Sequence, residues 1–503
     1  MNREMRTLIN MLVEGLLLVA TLTLLYYLYD YVTSPANLPP GPIPLPIINN
    51  LLSITGSDSH IAAAKLAKTY GDIFMLKIFN DRFVFVSSGA GAREVLMGKR
   101  MNDLAGRPQT FTFNLLSRGA KDIVLGDYSR HLVWRRKIVH LGLRMYFPKL
   151  EENIAWEVSK LEGKLMEDIG AAIHSKDVFL LLITNIISSF LLGKSYEPDD
   201  PDFLTTLEFI RIGSQVPVSG SILDKFPFLY HLPISESRFY KNVVEPRDRL
   251  LDKFFLEHKS TFSEDCIRDL TDAFLKAKLE VEREDKKAIG EVTDDHITML
   301  MTDVYVGGLE TTSTTLSWLA AYLINYPLVQ TRLQTDIDDV IGSRWPVLAD
   351  KPNLPYMEAT IAEVLRIATV LPMGVPHKAT TNNVPLMGYN IPKDTIIVMN
   401  LWAIHHDPRE WPNPDKFDPD RFINEDGKFE VPGQRSYLPF SAGRRVCVGE
   451  SLAKIELFLV MTRLLQQFTL ETLPGQGPPS VGEASGNITR APKPFKFRAM
   501  PRK

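Results

Sequence analysis

From Leu8 to Leu28 the chain is almost wholly apolar, and this run constrains what can be built more than any other feature. Hydrocarbon offers backbone amides and carbonyls no partner, so a segment crossing it must close its own hydrogen bonds as a helix. At 1.5 Å per residue the run covers about 30 Å, the thickness of a bilayer core. Tyr26, Tyr27, Tyr29 and Tyr31 stand at its exit, where amphipathic rings favour the interface. A cleaved signal peptide has a shorter apolar core ending in small residues, and a mitochondrial presequence avoids acids such as Glu4 and Glu14. Residues 1–32 therefore read as a single membrane anchor. Arg3 and Arg6 before the span and Asp30 after it favour, by charge alone, a cytosolic N-terminus.

Leu38-Pro39-Pro40-Gly41-Pro42-Ile43-Pro44-Leu45-Pro46 follows, and proline both fixes φ and removes amide donors, so residues 33–50 read as a stiff extended hinge. Such segments can also do no more than separate domains. Residues 51–503 are then one large body, with 45% hydrophobic residues in the chain to fill its core. A net charge of -3 without a long block of one sign speaks against a nucleic-acid surface. Leu76–Phe79 and Phe83–Val86 around Asn80-Asp81-Arg82 predict a hairpin, and Val384–Val398 a second sheet-like patch. Apolar spacing predicts helices over Lys149–Ile169, Val244–Lys259, Thr271–Glu282 and His296–Ile324, and Pro474–Gly486 reads as loop. The expected class is mainly α with small β-sheets.

Only two cysteines occur, which excludes a disulfide framework. Cys266, among Glu264, Asp265 and Arg268, reads as an ordinary exposed thiol in a reducing compartment. Cys447 is different. It lies in Phe440-Ser441-Ala442-Gly443-Arg444-Arg445-Val446-Cys447-Val448-Gly449, which fits Phe-x-x-Gly-x-Arg-x-Cys-x-Gly. Five fixed positions arise by chance in a chain of this length with probability of roughly 10⁻⁴. Gly443 and Gly449 allow backbone amides to approach the sulfur, and a helix opening at Glu450 turns its positive end toward it.

On these residues the chain resembles the cytochrome P450 superfamily, and the resemblance runs from the anchor to the C-terminus. It implies a P450-like fold behind a single transmembrane helix, and haem b with Cys447 as the thiolate ligand of its iron. Phe440 would cover the sulfur. Arg445, Arg107 in Gly106-Arg107-Pro108, Arg135 in His131-Leu132-Val133-Trp134-Arg135, and His377 in Pro376-His377-Lys378 would hold the propionates. His131 stands where the family usually has tryptophan. Arg136 and Lys137 read as a solvent-facing basic pair suited to an acidic partner.

Glu363-Val364-Leu365-Arg366 matches the family's Glu-x-x-Arg, and Phe417-Asp418-Pro419-Asp420-Arg421-Phe422 resembles the segment whose arginine joins that pair. Glu363, Arg366 and Arg421 would form a buried structural network. Gly307-Gly308-Leu309-Glu310-Thr311-Thr312 interrupts a helical pattern at a cost of about 1 kcal/mol per glycine. By resemblance the glycines open a groove for dioxygen, and Glu310 and Thr311 organise proton delivery. A Gly-Gly packing contact and a threonine bonding its own helix are the plainer reading.

Gly106-Arg107-Pro108-Gln109, the segment Val370–Ala379 and the segment Asn400–His406 look most like animal microsomal members, nearest the steroid 17α-hydroxylase/17,20-lyase group. Val370, Leu371 and Met373 are the substrate-facing candidates, with Gln215 as a weaker polar one. Ala362 replaces a basic residue that the group carries before Glu363, which leaves the lyase step unsupported. The expected function is hydroxylation of a lipophilic, steroid-like substrate with O2 and electrons from an NADPH-dependent flavoprotein reductase, with cytochrome b5 as a further partner. The expected place, implied by the resemblance and against the orientation that the charges favour, is the endoplasmic reticulum membrane, single-pass, with the catalytic body facing the cytosol. A broad-specificity xenobiotic or fatty-acid monooxygenase and a non-enzymatic haem-binding membrane protein are the alternatives.

Overall fold

The computed structural model describes residues 3–502 apart from positions 47 and 80 and the stretches 55–57, 217–219, 284–289 and 433–435. Arg3–Thr33 is one helix, and within it Asn10–Tyr29 has mean hydropathy 1.9 with none of that stretch buried in protein. It is long and apolar enough to cross a membrane. Tyr27 donates to the carbonyl of Pro44 at 2.8 Å, so the helix exit is tied to the hinge.

The hinge is stitched into the body. Met75 N–H donates to Pro40 O at 2.8 Å, Asn50 Nδ2 to Pro42 O at 3.1 Å, and Asn37 Nδ2 to Gly388 O at 2.9 Å. Gly41 passes so close to the next strand that a Cβ would lie 2.0 Å from Met75 O. Proline leaves carbonyls free while removing donors, and the sheet edge uses those carbonyls.

The predicted hairpin forms from Ile73–Ile78 and Asp81–Val86, with Arg82 already inside the second strand; Asn80 lies outside the described residues. The second strand pairs in parallel with Ile396–Met399, which pairs antiparallel with His377–Lys378. This sheet brings residues three hundred positions apart in sequence to one side of the molecule. Ile173–His174, Lys496–Pro501 and Phe468–Glu471 make a smaller sheet.

Helices make up the rest. Arg130–Glu167 is one helix of 38 residues that runs through Pro148, where the apolar pattern suggested a start only at Lys149. Ser235–Thr261 likewise continues through Pro246. Ser175–Leu191 carries buried apolar residues all round, so it shows little amphipathic signature in sequence. It packs along Asp294–Asn325, the central helix, about 48 Å long. Phe179, Ile183, Ile187, Leu300, Leu309, Trp318 and Phe458 belong to the main core around it.

Candidate active site

The cysteine loop is built between a short turn at Gly443–Arg445 and the helix Glu450–Gln467. Cys447 N–H donates to Phe440 O at 3.0 Å, which closes the loop, while the amides of Gly449 and Glu450 bond the sulfur. Burial pushes the thiol up and the Glu450 carboxylate adds to this, whereas those amides and Arg136 favour the thiolate. Cys447 keeps accessible surface although protein packs closely around it.

The two loop glycines do different work. A Cβ on Gly449 would sit 3.9 Å from Cys447 Sγ, an ordinary contact, so the bond from its amide to the sulfur does not require a glycine there. Gly443 corrects the sequence reading: its φ is +68°, and a Cβ would lie 1.9 Å from Leu96 O. It seats the loop on the Gly89–Met97 helix and does not serve the sulfur. Lys454 caps the Phe440 ring at 5.4 Å.

Arg107, Arg135 and Arg445 converge and are at most 6% exposed. Arg107 Nη1 donates to Pro376 O at 2.9 Å and Nε to Val124 O at 2.8 Å. Arg445 Nε donates to Ala105 O at 2.9 Å and Nη2 to Gly126 O at 2.8 Å, and Arg135 Nη1 to Asp122 O at 2.6 Å. Among the described residues none of the three forms an ion pair. Burial, then the neighbouring Arg445, holds Arg107 well below its ordinary value; burial, then Arg107, does the same to His377, whose Nδ1 meets Leu104 O at 2.8 Å. Arg135 Nε and His131 Nε2, four residues apart on one helix, are buried without hydrogen-bond partners among the described residues. Unpaired buried cations and orphaned donors need an anion, and the carboxylates of a haem are anions of the right kind.

Arg136 belongs with this group and not with solvent. It is half-buried and donates to Val446 O beside the thiol; burial lowers its pKa, and Cys447 opposes that shift. Lys137 is exposed as expected.

Glu363 and Arg366 are completely buried and paired twice, Nε to Oε2 at 2.7 Å and Nη2 to Oε1 at 2.8 Å. Arg421 Nε stands 3.4 Å from Glu363 Oε1, while its outer nitrogens hold the carbonyls of Pro412, Asn413 and Lys416. Sequence reasoning missed the member that carries this network to the cysteine loop. Arg366 Nη1 donates to His405 O at 2.7 Å, and Leu438 N–H, two residues before Phe440, donates to His405 Nε2 at 3.0 Å. Burial, then His406, keeps His405 neutral; its Nδ1–H faces Thr369 Oγ1 at 3.1 Å.

On the central helix the adjacent glycines separate. A Cβ on Gly307 would meet nothing within 4 Å, so this position opens space; a Cβ on Gly308 would meet Ile187 Cδ1 at 3.0 Å, so this one is a packing contact. Thr311 Oγ1 donates to Gly307 O at 2.8 Å, the plainer reading of that hydroxyl, and it still stands on the open face. Burial raises the Glu310 carboxyl to about 7, partly offset by Lys176 and by the Thr489 hydroxyl. Arg490 N–H donates to Val370 O at 2.8 Å, which brings Val370 to the Glu310 end of the cavity through Thr489. Leu371 is half-buried, but Met373, 3% exposed, packs with Phe74, Phe85 and Val398 in the sheet-side core and is not gathered with them. Gln215 is tied by its carbonyl to Asn487 Nδ2 at 2.7 Å.

The Cytochrome P450 family model matches residues 39–499. A steroid 17-alpha-hydroxylase/17,20 lyase of Ictalurus punctatus is 40% identical over 476 residues, 93% of this chain and 91% of that protein. The protein of the same name from Gallus gallus is 39% identical over 464 residues, 90% of each. A solved zebra fish cytochrome P450 with progesterone superposes at TM-score 0.77 with 33% identity, over 88% of this chain and 99% of that one. With its accessible enclosed thiol, its unpaired arginines and this match along nearly its whole length, the chain belongs to the cytochrome P450 family and is a haem-thiolate monooxygenase.

Proposed function

We propose that this chain hydroxylates a steroid in the manner of a 17α-hydroxylase, with Cys447 as the axial ligand of haem b. The observation that carries the assignment of the site is the enclosed yet accessible Cys447 thiol, held by two amides beside buried arginines that form no ion pair among the described residues. The names of the relatives support the steroid. When bound, haem supplies reductive activation of O2, one oxygen entering the substrate C–H bond and the other leaving as water at the expense of NADPH.

The chain's own residues prepare that chemistry. The Gly449 and Glu450 amides spread the sulfur's negative charge, and Arg107, Arg135, Arg445 and His377 hold the propionates. Gly307 leaves room for a diatomic molecule. Glu310, near half-protonated at neutral pH, holds a proton at its carboxyl and passes it toward the Thr311 hydroxyl one residue on. Val370 and Leu371 supply apolar walls, with Met373 supporting them from the core behind.

Electrons come from an NADPH-dependent flavoprotein reductase, with cytochrome b5 as a second partner, at a face that includes exposed Lys137. The anchor helix holds the body on the cytosolic side of the endoplasmic reticulum membrane, with residues 33–50 as the stitched junction to the domain 51–503. Ala362, 4% exposed against Trp411 and Phe422, presents no charge for the lyase step.

The test has two stages. The reduced carbonyl complex should show the red-shifted Soret band of thiolate ligation, and its persistence in folded Cys447→Ala would overturn the ligand assignment. Purified protein with reductase, NADPH and progesterone should then give the 17α-hydroxylated product; turnover only of unrelated lipophiles would refute the steroid reading.

A further inference from the structure

The chain from Gly486 to Arg490 turns between the short strands Ala484–Ser485 and Ala491–Pro492, and it is fixed at both ends. At its tip Asn487 N–H donates to Ser214 O at 2.9 Å and Asn487 Nδ2 to Gln215 O at 2.7 Å. At its base stands Arg490, 6% exposed and without an ion pair among the described residues. Its guanidinium lies 4.8 Å from the Trp318 ring and 4.5 Å from the Trp402 ring.

A buried cation costs more than an apolar side chain of the same length, so the position has to use its donors. Nη1 donates to Ala368 O at 3.0 Å, one of the terminal carbonyls that the helix Pro355–Ala368 leaves without an intrahelical partner. A positive group at that end also meets the negative pole of the helix. The backbone N–H of Arg490 donates to Val370 O at 2.8 Å, and its carbonyl accepts Trp318 Nε1 at 2.9 Å. One residue thereby joins the end of one helix, the segment that follows it and the central helix.

Thr489 lies between the anchored tip and Arg490 and is 3% exposed. A Cβ on Gly486, whose φ is +92°, would sit 2.2 Å from Thr489 O, so the turn closes tightly over this backbone. The Thr489 hydroxyl is the polar neighbour of the Glu310 carboxyl, and Lys176 of Ser175–Leu191 is the charged group that faces it.

We propose that Arg490 is a positioning residue for proton delivery: by bracketing the turn between Ala368, Val370 and Trp318, it holds the Thr489 hydroxyl against the Glu310 carboxyl. This rests on the reading of Glu310 as the proton-holding acid and deepens it. The hydroxyl favours the carboxylate, so removing it, or letting it drift, leaves Glu310 protonated to higher pH.

The test follows product formed per NADPH against pH in the full-length haem-loaded protein with reductase and progesterone. Glu310→Gln should abolish the transition near pH 7, and Thr489→Val should move its midpoint up by about one unit. Arg490→Met keeps length and apolar contact but loses the side-chain donors. It should move the midpoint the same way by a similar amount, and add nothing in the Thr489→Val background. A midpoint that Thr489→Val moves and Arg490→Met does not refutes the positioning role alone, even if the variant melts lower. Shifts that add in the double variant refute it too, because Arg490 would then act by its charge and not through Thr489. Should Arg490→Met fail to load haem, Arg490→Lys, which keeps the charge without the planar fork, decides by the same criteria. If Glu310→Gln and Thr489→Val both leave the profile unchanged, Glu310 is not the acid, and both readings fall.

Discussion

Glu456 sits on the helix that follows the cysteine, 1% exposed, with no close hydrogen bond to either carboxyl oxygen among the described residues and the Thr312 hydroxyl of the central helix as its polar neighbour. Burial raises its pKa from 4.5 to about 8. An acid whose folded pKa is raised binds its proton more tightly folded than unfolded, so stability falls as pH climbs from about 4.5 and levels off above about 8. At about 1.4 kcal/mol per pH unit, the loss between pH 6 and pH 8 is about 2 kcal/mol. For a chain of this size that is roughly 2 °C in melting temperature. Glu456→Gln keeps the shape and cannot ionise. Melting of the haem-loaded pair across this range should show the variant gaining about 2 °C on the wild type from pH 6 to pH 8. Glu310 and Asp303 add their own pH dependence to both proteins and cancel in the difference. A difference that does not change with pH refutes the reasoning, because a merely structural carboxamide-for-carboxyl exchange acts equally at both ends.

Gly443→Ala should cost about 3 kcal/mol from the left-handed φ and the collision with Leu96 O, read as a lower melting point and weaker haem retention. Gly307→Ala, with open space around it, should instead stabilise the helix by about 1 kcal/mol while lowering turnover by narrowing the groove. Glu363→Ala should destabilise by about 3–5 kcal/mol, since Arg366 stays buried without its counter-charge; denaturant melts check this. Thr311→Ala should leave ligand-binding spectra unchanged and reduce product formed per NADPH, and Thr311→Ser, which keeps the hydroxyl, should restore most of it.

How much of this was legible depends on what each residue answers to. The Phe440–Gly449 loop was readable because its chemistry demands fixed residue types at fixed short spacing, and Glu363–Arg366 because an i,i+3 pair needs only a helix. The central helix announced itself by carrying two glycines at a cost. The differing tasks of Gly307 and Gly308, and the seat of Gly443 on Leu96, depend on which neighbour arrives from elsewhere in the chain, and local sequence holds no trace of that. The hinge is legible as stiff and extended, but its seat on the body is not: Pro40 O takes the Met75 N–H and Asn37 O the Asn390 N–H, and backbone bonds of this kind leave no side-chain signature.

The unforeseen polar residues share one trait that sequence did display. Glu456 interrupts Ile455-Glu456-Leu457-Phe458-Leu459-Val460, and Asp303 interrupts a run from Ile297 to Val306 that is otherwise uncharged. In such surroundings a carboxyl either reaches water or is buried at a cost of several kcal/mol unless compensated. Both are enclosed, so each marks a place where the fold tolerates that cost. Asp303 is half-buried, whereas Glu456 is sealed between two helices. Residue type does not separate the two acids; their exposure, set by the elements that pack against each helix, does.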